Sequence, residues 1–163
     1  MWVGSVEAQS VLRIDPKTGE AARVTTTGPD SIVVAPGEVL VANTDGTLTW
    51  IDPATLAISV KLNSGYQAVA VGGGGIWTVG PQGLVHLNRE RVIVGRIPQA
   101  TGFAVVTGGG AVWVLDDQLR RLWKVDPRTD RIVKRIRLRF DPGGAAFGLG
   151  RVWVTNRGGD ALV

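Results

Sequence analysis

At 163 residues, 44% of them hydrophobic, the chain is long enough to bury a substantial core, and its composition excludes wholesale disorder. It contains no cysteine, which excludes disulfides, thiol catalysis and thiolate metal sites while leaving the compartment open. No stretch approaches the roughly 20 consecutive apolar residues of a membrane-spanning helix, and nine of the 18 Lys and Arg residues behind the net charge of +4 fall between positions 120 and 139.

Met1-Trp2-Val3 reads directly as a strand, without the basic and then apolar pattern of a signal segment. Aligning that strand with its recurrences gives one column, Trp2, Leu40, Trp77, Trp113 and Trp153, at spacings of 38, 37, 36 and 40. A second column closes the following strand: Asp15-Pro16, Asp52-Pro53, Asn88-Arg89 and Asp126-Pro127. Two independent columns with one period define a repeat, and its length with four short strands per unit fits a propeller blade better than a helical pair.

Within each unit the first strand is built from small residues, at Ser31 to Ala35, Ala68 to Gly72, Ala104 to Gly108 and Gly144 to Gly148. Blades converge on an axis, where the innermost strand has little room for large rings. Glycine turns lead into the tryptophan-column strand. Polar turns then lead into the third: Ser5 to Gln9, Thr44-Asp45-Gly46, Pro81-Gln82-Gly83, Asp116 to Leu119 and Arg157-Gly158-Gly159. Asp-Gly is a strong hairpin signal, and Asp-Pro after the third strand sets a turn in which Asp accepts from the backbone two residues on. The fourth, outermost strands are expected at Ala22 to Thr26, Ile58 to Leu62, Val92 to Ile97 and Ile132 to Phe140. Leu115, Leu119 and Leu122 also fall at helical spacing behind Asp116, but neighbouring units place glycine turns at that offset, which favours strand, turn and strand.

The expected fold is therefore all-β: a β-propeller of four-stranded antiparallel blades, with about four blades present. The blades divide as a partial blade at 1–30, whole blades at 31–66, 67–102 and 103–142, and a partial blade at 143–163. Because both ends fall inside a blade, with Ala161-Leu162-Val163 partway into a third strand, the reading is an incomplete, open propeller. Two chains pairing into one ring, or a closed ring of four blades, are the alternatives. An open arrangement would expose blade faces and invite self-association.

Trp153-Val154-Thr155-Asn156 and Leu40-Val41-Ala42-Asn43, with the Ile-Asp-Pro and Val-Asp-Pro endings, resemble the YVTN-type bacterial propellers and the related NHL and virginiamycin B lyase-like repeats. The resemblance covers nearly the whole chain. It implies six to eight blades in a complete member and a non-catalytic binding scaffold within a larger bacterial protein, with an extracytoplasmic location favoured by the resemblance alone. Its alternative is a segment of a lyase-like or metal-dependent hydrolase propeller whose catalytic residues lie in other blades, since lyase chemistry there implies more than one histidine near a magnesium ion.

The residues themselves offer little catalytic chemistry. His86, the sole histidine, shares a third-strand column with Arg13, Trp50 and Lys124, and is expected to pack between blades. Asp116 and Asp117 are adjacent and point apart, so a solvated turn is favoured over a hard-cation site. The glycine runs at 73–75 and 108–110 lack the lysine and helix of a phosphate loop. No catalytic residue, metal ligand or cofactor is assigned.

Candidate ligand contacts come from the loops joining second to third strands and leading into first strands: Asn43, Asp45, Tyr66, Gln67, Gln82, Gln99, Asp116, Asn156 and Arg157. The ligand would be a protein, a small molecule or a polysaccharide. Arg135, Arg137 and Arg139 alternate with Ile136, Leu138 and Phe140, giving a charged edge that discourages strand pairing or receives an anion. No aromatic residues interleave with those arginines, which disfavours nucleic acid.

Overall fold

The computed structural model describes residues 1–63, 65 and 67–159, and divides into two compact units, Met1–Ala68 and Val69–Val163. Every sheet is an antiparallel meander of sequence-adjacent strands. In the first unit, β1 (Trp2–Ser5), β2 (Ser10–Ile14) and β3 (Ala21–Thr25) form a three-stranded sheet. It is followed by the four-stranded sheet of β4 (Pro29–Ala35), β5 (Glu38–Asn43), β6 (Thr47–Ile51) and β7 (Ile58–Asn63).

In the second unit the same order gives β8 (Ala68–Gly72), β9 (Gly75–Gly80), β10 (Gly83–Leu87) and β11 (Ile93–Ile97). Next come β12 (Ala104–Gly108), β13 (Ala111–Asp116), β14 (Arg121–Asp126) and β15 (Arg131–Arg137), then a pair, β16 (Pro142–Gly148) and β17 (Arg151–Asn156). The expected third strand around Ala161 lies outside the described residues.

The segment with helical spacing is strand, turn and strand: β13 ends at Asp116, residues 117–120 turn, and β14 follows. Two expectations about strand limits need correction. The last outer strand stops at Arg137 rather than Phe140: Leu138 N–H still reaches Arg120 O (2.8 Å), but Arg120 belongs to the turn before β14, so residues 139 and 140 have no strand opposite them. The first strands β4 and β16 begin earlier, at Pro29 and Pro142, each pairing with the closing asparagine of the next strand (Asn43, Asn156) across a bulge. Proline is tolerated there because a bulge at a strand start needs no donor.

Sheet packs on sheet through alternating side chains. In the first unit, Val11 and Val24 meet Val39, Val41 and Ile51, with Trp2, Ile32 and Leu56 at the margin. In the second, Leu115 and Leu122 meet Val154, flanked by Phe103, Trp113, Ile136, Leu138 and Phe140. First strands of successive sheets lie side by side, β12 against β16.

The tryptophan column explains the glycine that ends the first strand. An indole N–H only donates and, once covered, needs an acceptor. Trp77 Nε1 donates to Gly72 O (3.0 Å), Trp113 Nε1 to Gly108 O (3.1 Å) and Trp153 Nε1 to Gly148 O (3.0 Å). The same glycines leave their Cα bare for the next sheet: a Cβ on Gly72 would strike Thr107, and one on Gly108 would strike the ring of Phe147. Thr107 and Phe147 occupy equivalent positions, each just before the glycine of its own strand. Phe147 departs from the expectation of an inner strand without large rings, and the space it uses is the one Gly108 vacates.

A second device runs from the third strand to the Asp-Pro turn of the following sheet. Arg13 donates to Pro53 O (2.6 Å), and His86, stacked on Trp77 with ring centroids 3.9 Å apart, donates through Nδ1 to Asp130 Oδ1 (2.9 Å). The turns are held as expected: Asp15 Oδ1 accepts Lys17 N, Asp52 Oδ1 accepts Ala54 N and Thr55 N, and Asp126 Oδ1 accepts Arg128 N. These backbone donors, Thr55 N–H foremost for Asp52 and Arg128 N–H for Asp126, lower both carboxyl pKa values. The ionised form holds the turn, so this contribution is present above the ordinary carboxyl range and is lost as pH falls through the folded-state pKa.

Gly108→Ala is expected to destabilise the chain by about 1–3 kcal/mol in urea unfolding, as overpacking does. Adding Phe147→Ala should recover part of that loss, with a coupling of roughly 0.5–3 kcal/mol between the two sites. Strict additivity would mean that the glycine is not there to receive the ring.

Candidate functional site

The candidate loop residues divide by what their side chains already hold. Asn43, Asp116 and Asn156 occupy one column, three residues after the tryptophan column, with Ser5 and Gly80 in the remaining sheets. In this column the side chain closes the polar turn that follows. Ser5 Oγ accepts Ala8 N (3.1 Å), Asp116 Oδ1 accepts Leu119 N (2.8 Å), and Asn156 Oδ1 accepts Gly158 N (3.1 Å). Asn43, fully buried, donates through Nδ2 to Thr47 O (3.2 Å), Thr47 Oγ1 (3.1 Å) and Thr49 Oγ1 (3.0 Å), tying β5 to β6.

Asp116 is only 2% exposed, and its second oxygen accepts the Thr101 hydroxyl at 2.5 Å. The expectation of rim groups open to a ligand is corrected for Asn43 and Asp116: both are interior, because a closing strand residue pointing inward is the nearest group able to satisfy the turn. The same engagement accounts for Asp116 beside Asp117. Among the described residues no cluster of three His, Cys, Asp or Glu side chains is positioned around a point.

Asp45, Gln67, Gln82, Gln99 and Arg157 are exposed. In the first unit, Asp45 Oδ1 accepts both the backbone N–H (2.9 Å) and the hydroxyl (2.6 Å) of Thr47, and Gln67 is exposed. Thr44 reaches Thr27 O (3.1 Å), and Gly65 N–H donates to Gly46 O (2.7 Å), so turn and connection meet there. Tyr66 lies outside the described residues.

In the second unit, Gln82, Gln99 and Arg157 are exposed. Turn and connection are laced together by Thr101 to Asp116, by Arg120 Nε to Asp141 Oδ1 (2.7 Å), and by Arg157 N–H to Asp141 O (2.7 Å). The Arg157 guanidinium sits over the Phe103 ring, 5.8 Å from its centroid. Sequence reasoning missed Thr101, Phe103, Arg120 and Asp141. Each acts on a partner at least 15 residues away, a pairing that only the folded connections create.

Of the three arginines of the expected edge, Arg137 and Arg139 border one depression and Arg135 another. Arg135 and Arg137 are exposed on β15 while Ile136 and Leu138 turn inward, as the alternation implies. Arg139 lies beyond the strand and borders, with Arg137, Gln118, Leu119 and Arg120, a depression at the end of β15. Arg135 instead lies over the Trp123 ring (5.7 Å) and borders a groove of about 370 Å³ with Ile97, Gln99, Asp130 and Ile132.

No family model matches the sequence, and no curated protein matches it. Solved structures do. Hydrazine synthase from Kuenenia stuttgartiensis aligns over 95% of this chain and 51% of its own, with a TM-score of 0.81 at 14% identity. BamB from Moraxella catarrhalis aligns over 95% and 52% respectively, with a TM-score of 0.79 at 14% identity. The Pan2 WD40 domain of Neurospora crassa aligns over 96% and 56%, with a TM-score of 0.76 at 12% identity. At these identities the likeness is one of fold: the four-stranded sheets are β-propeller blades, and the chain spans about half the length of the propeller structures it matches.

Asp116→Ala, which strips the acceptor from Thr101 and from the Leu119 N–H, is expected to destabilise by about 1–3 kcal/mol. Gln82→Ala, on an exposed turn, should fall within about 0.5 kcal/mol of the parent. Urea unfolding of the two variants side by side checks the division between closing and rim residues.

Proposed function

We propose that the chain is a non-catalytic binding segment of a larger bacterial propeller protein of the YVTN, NHL and virginiamycin B lyase-like kind, which engages a ligand through the loops that join second to third strands and enter first strands. The observation that carries the reading is the pairing of a buried closing residue with exposed neighbours in the same loop. Asp116 is fixed by Thr101 and Leu119 N–H while Gln118 beside it is exposed, and Asn43 is fixed by Thr47 and Thr49 while Asp45 is exposed.

A loop fixed in this way presents its polar groups without first losing conformational freedom, so more of each contact appears as affinity. Exposed amides and one guanidinium on an aromatic ring suit a polar peptide or sugar surface. The repeat kind is supported by the two motifs that end in asparagine, 40–43 and 153–156, in which Asn43 donates across its hairpin to Thr47 and Thr49 and Asn156 accepts the Gly158 N–H of its turn.

Peptides selected from a displayed random library against the intact chain provide the test. Their binding should weaken about tenfold or more in a Gln82→Ala, Gln99→Ala, Arg157→Ala variant, since a few contacts dominate such interfaces. Peptides that bind this variant as well as the parent would place recognition elsewhere.

A further inference from the structure

One face of the β14–β15 pair gathers three arginines, Arg121, Arg135 and Arg137, that form no ion pair among the described residues. Register places Arg121 directly opposite Arg137 and Trp123 opposite Arg135, so all four share one face of the sheet. The guanidinium of Arg121 lies 5.4 Å from the Trp123 ring centroid and that of Arg135 lies 5.7 Å from it. Beneath them Trp123 is 3% exposed, and its Nε1 has no acceptor among the described residues.

Four nearby carboxylates are engaged elsewhere: Asp116 with Thr101 and Leu119 N–H, Asp126 with Arg128, Asp130 with His86, and Asp141 with Arg120. Like charges directly opposite on a sheet destabilise it. A basic cluster meant only to keep the edge from pairing has no need to set two arginines face to face or to leave three of them without a carboxylate.

We infer that Arg121, Arg135 and Arg137 form an oxyanion-binding site for an acidic polysaccharide chain lying along β15. A guanidinium drawn over an aromatic ring spends none of its N–H groups on that contact, and those forks match carboxylate and sulfate groups. Arg135 and Arg137 repeat along the strand at about 6.6 Å, which suits an extended polyanion rather than a single small ion. The Trp123 ring is buried under the arginines and offers no face for a base, which argues against single-stranded nucleic acid. Gln99, at the border of the adjoining groove, adds an amide suited to sugar hydroxyls. This site stands apart from the loop-face reading: the two share only Gln99, which neither arginine triple below alters.

The test compares the intact chain with two triple variants of equal charge, Arg121→Gln, Arg135→Gln, Arg137→Gln and Arg89→Gln, Arg128→Gln, Arg151→Gln. The probes are heparin, polygalacturonate, neutral dextran, phosphatidylglycerol vesicles and a DNA duplex, at about 50 mM salt, where counterion release is large. Heparin and polygalacturonate should bind and dextran should not. The first triple should weaken polysaccharide binding about tenfold or more and the second less than about threefold, the difference being the site rather than net charge. The first triple should also raise the Tm of the free protein, because it relieves the opposed arginines. Equal weakening by both triples, no polysaccharide binding, tighter binding of vesicles or duplex, or a Tm that fails to rise would each overturn the proposal.

Discussion

The need of a covered indole N–H for an acceptor is the constraint on which the packing of the second unit rests. Each of Trp77, Trp113 and Trp153 finds it in the carbonyl five residues earlier, at the end of the preceding strand. That bond pins the first hairpin of the blade in one conformation and puts a glycine at the point where the next blade arrives. A residue with a side chain there would strike Thr107 or Phe147. One bond thus ties geometry within a sheet to spacing between sheets, which is why the repeat keeps a tryptophan and a glycine at fixed separation while its other positions vary. In the first unit Leu40 takes the column without such a bond, and the sheets meet through valine and isoleucine with Arg13 reaching the Asp-Pro turn.

The polar residues follow the same logic. A blade has four reversals of direction, and the side chains closest to them are recruited first to satisfy the backbone. The closing column of Ser5, Asn43, Asp116 and Asn156 and the Asp-Pro column at 15, 52 and 126 both serve in this way. What remains for recognition is the residue next to a closing residue, together with whatever the outer strands present. Function in such a fold is displaced by one or two positions from the residues that mark the repeat.

The strand order, the turns and the two repeating columns were legible in the sequence, because they depend on contacts within about 40 residues and recur. The closing role of Asn43 and Asp116 was not, since an asparagine at a loop reads the same whether it faces solvent or its own hairpin. The bond from Trp113 to Gly108 could have been found, as the five-residue separation is constant in three units. The gathering of Arg121 with Arg135 and Arg137 needed the β14–β15 register, which a bulge between Lys124 and Val125 shifts by one residue. A shift of one moves every side chain to the other face. Likewise, Leu138 to Phe140 keep the alternation of a strand after the ladder has ended.

The dependence of the fold on the indole bonds is tested most directly by hydrogen exchange of the tryptophan side-chain N–H groups, followed by NMR. The indole protons of Trp77, Trp113 and Trp153 should exchange about tenfold or more slowly than that of Trp2, whose indole makes no such bond among the described residues. If those three exchange as fast as Trp2, the bonds to Gly72, Gly108 and Gly148 do not hold the blades, and the account of their spacing is wrong.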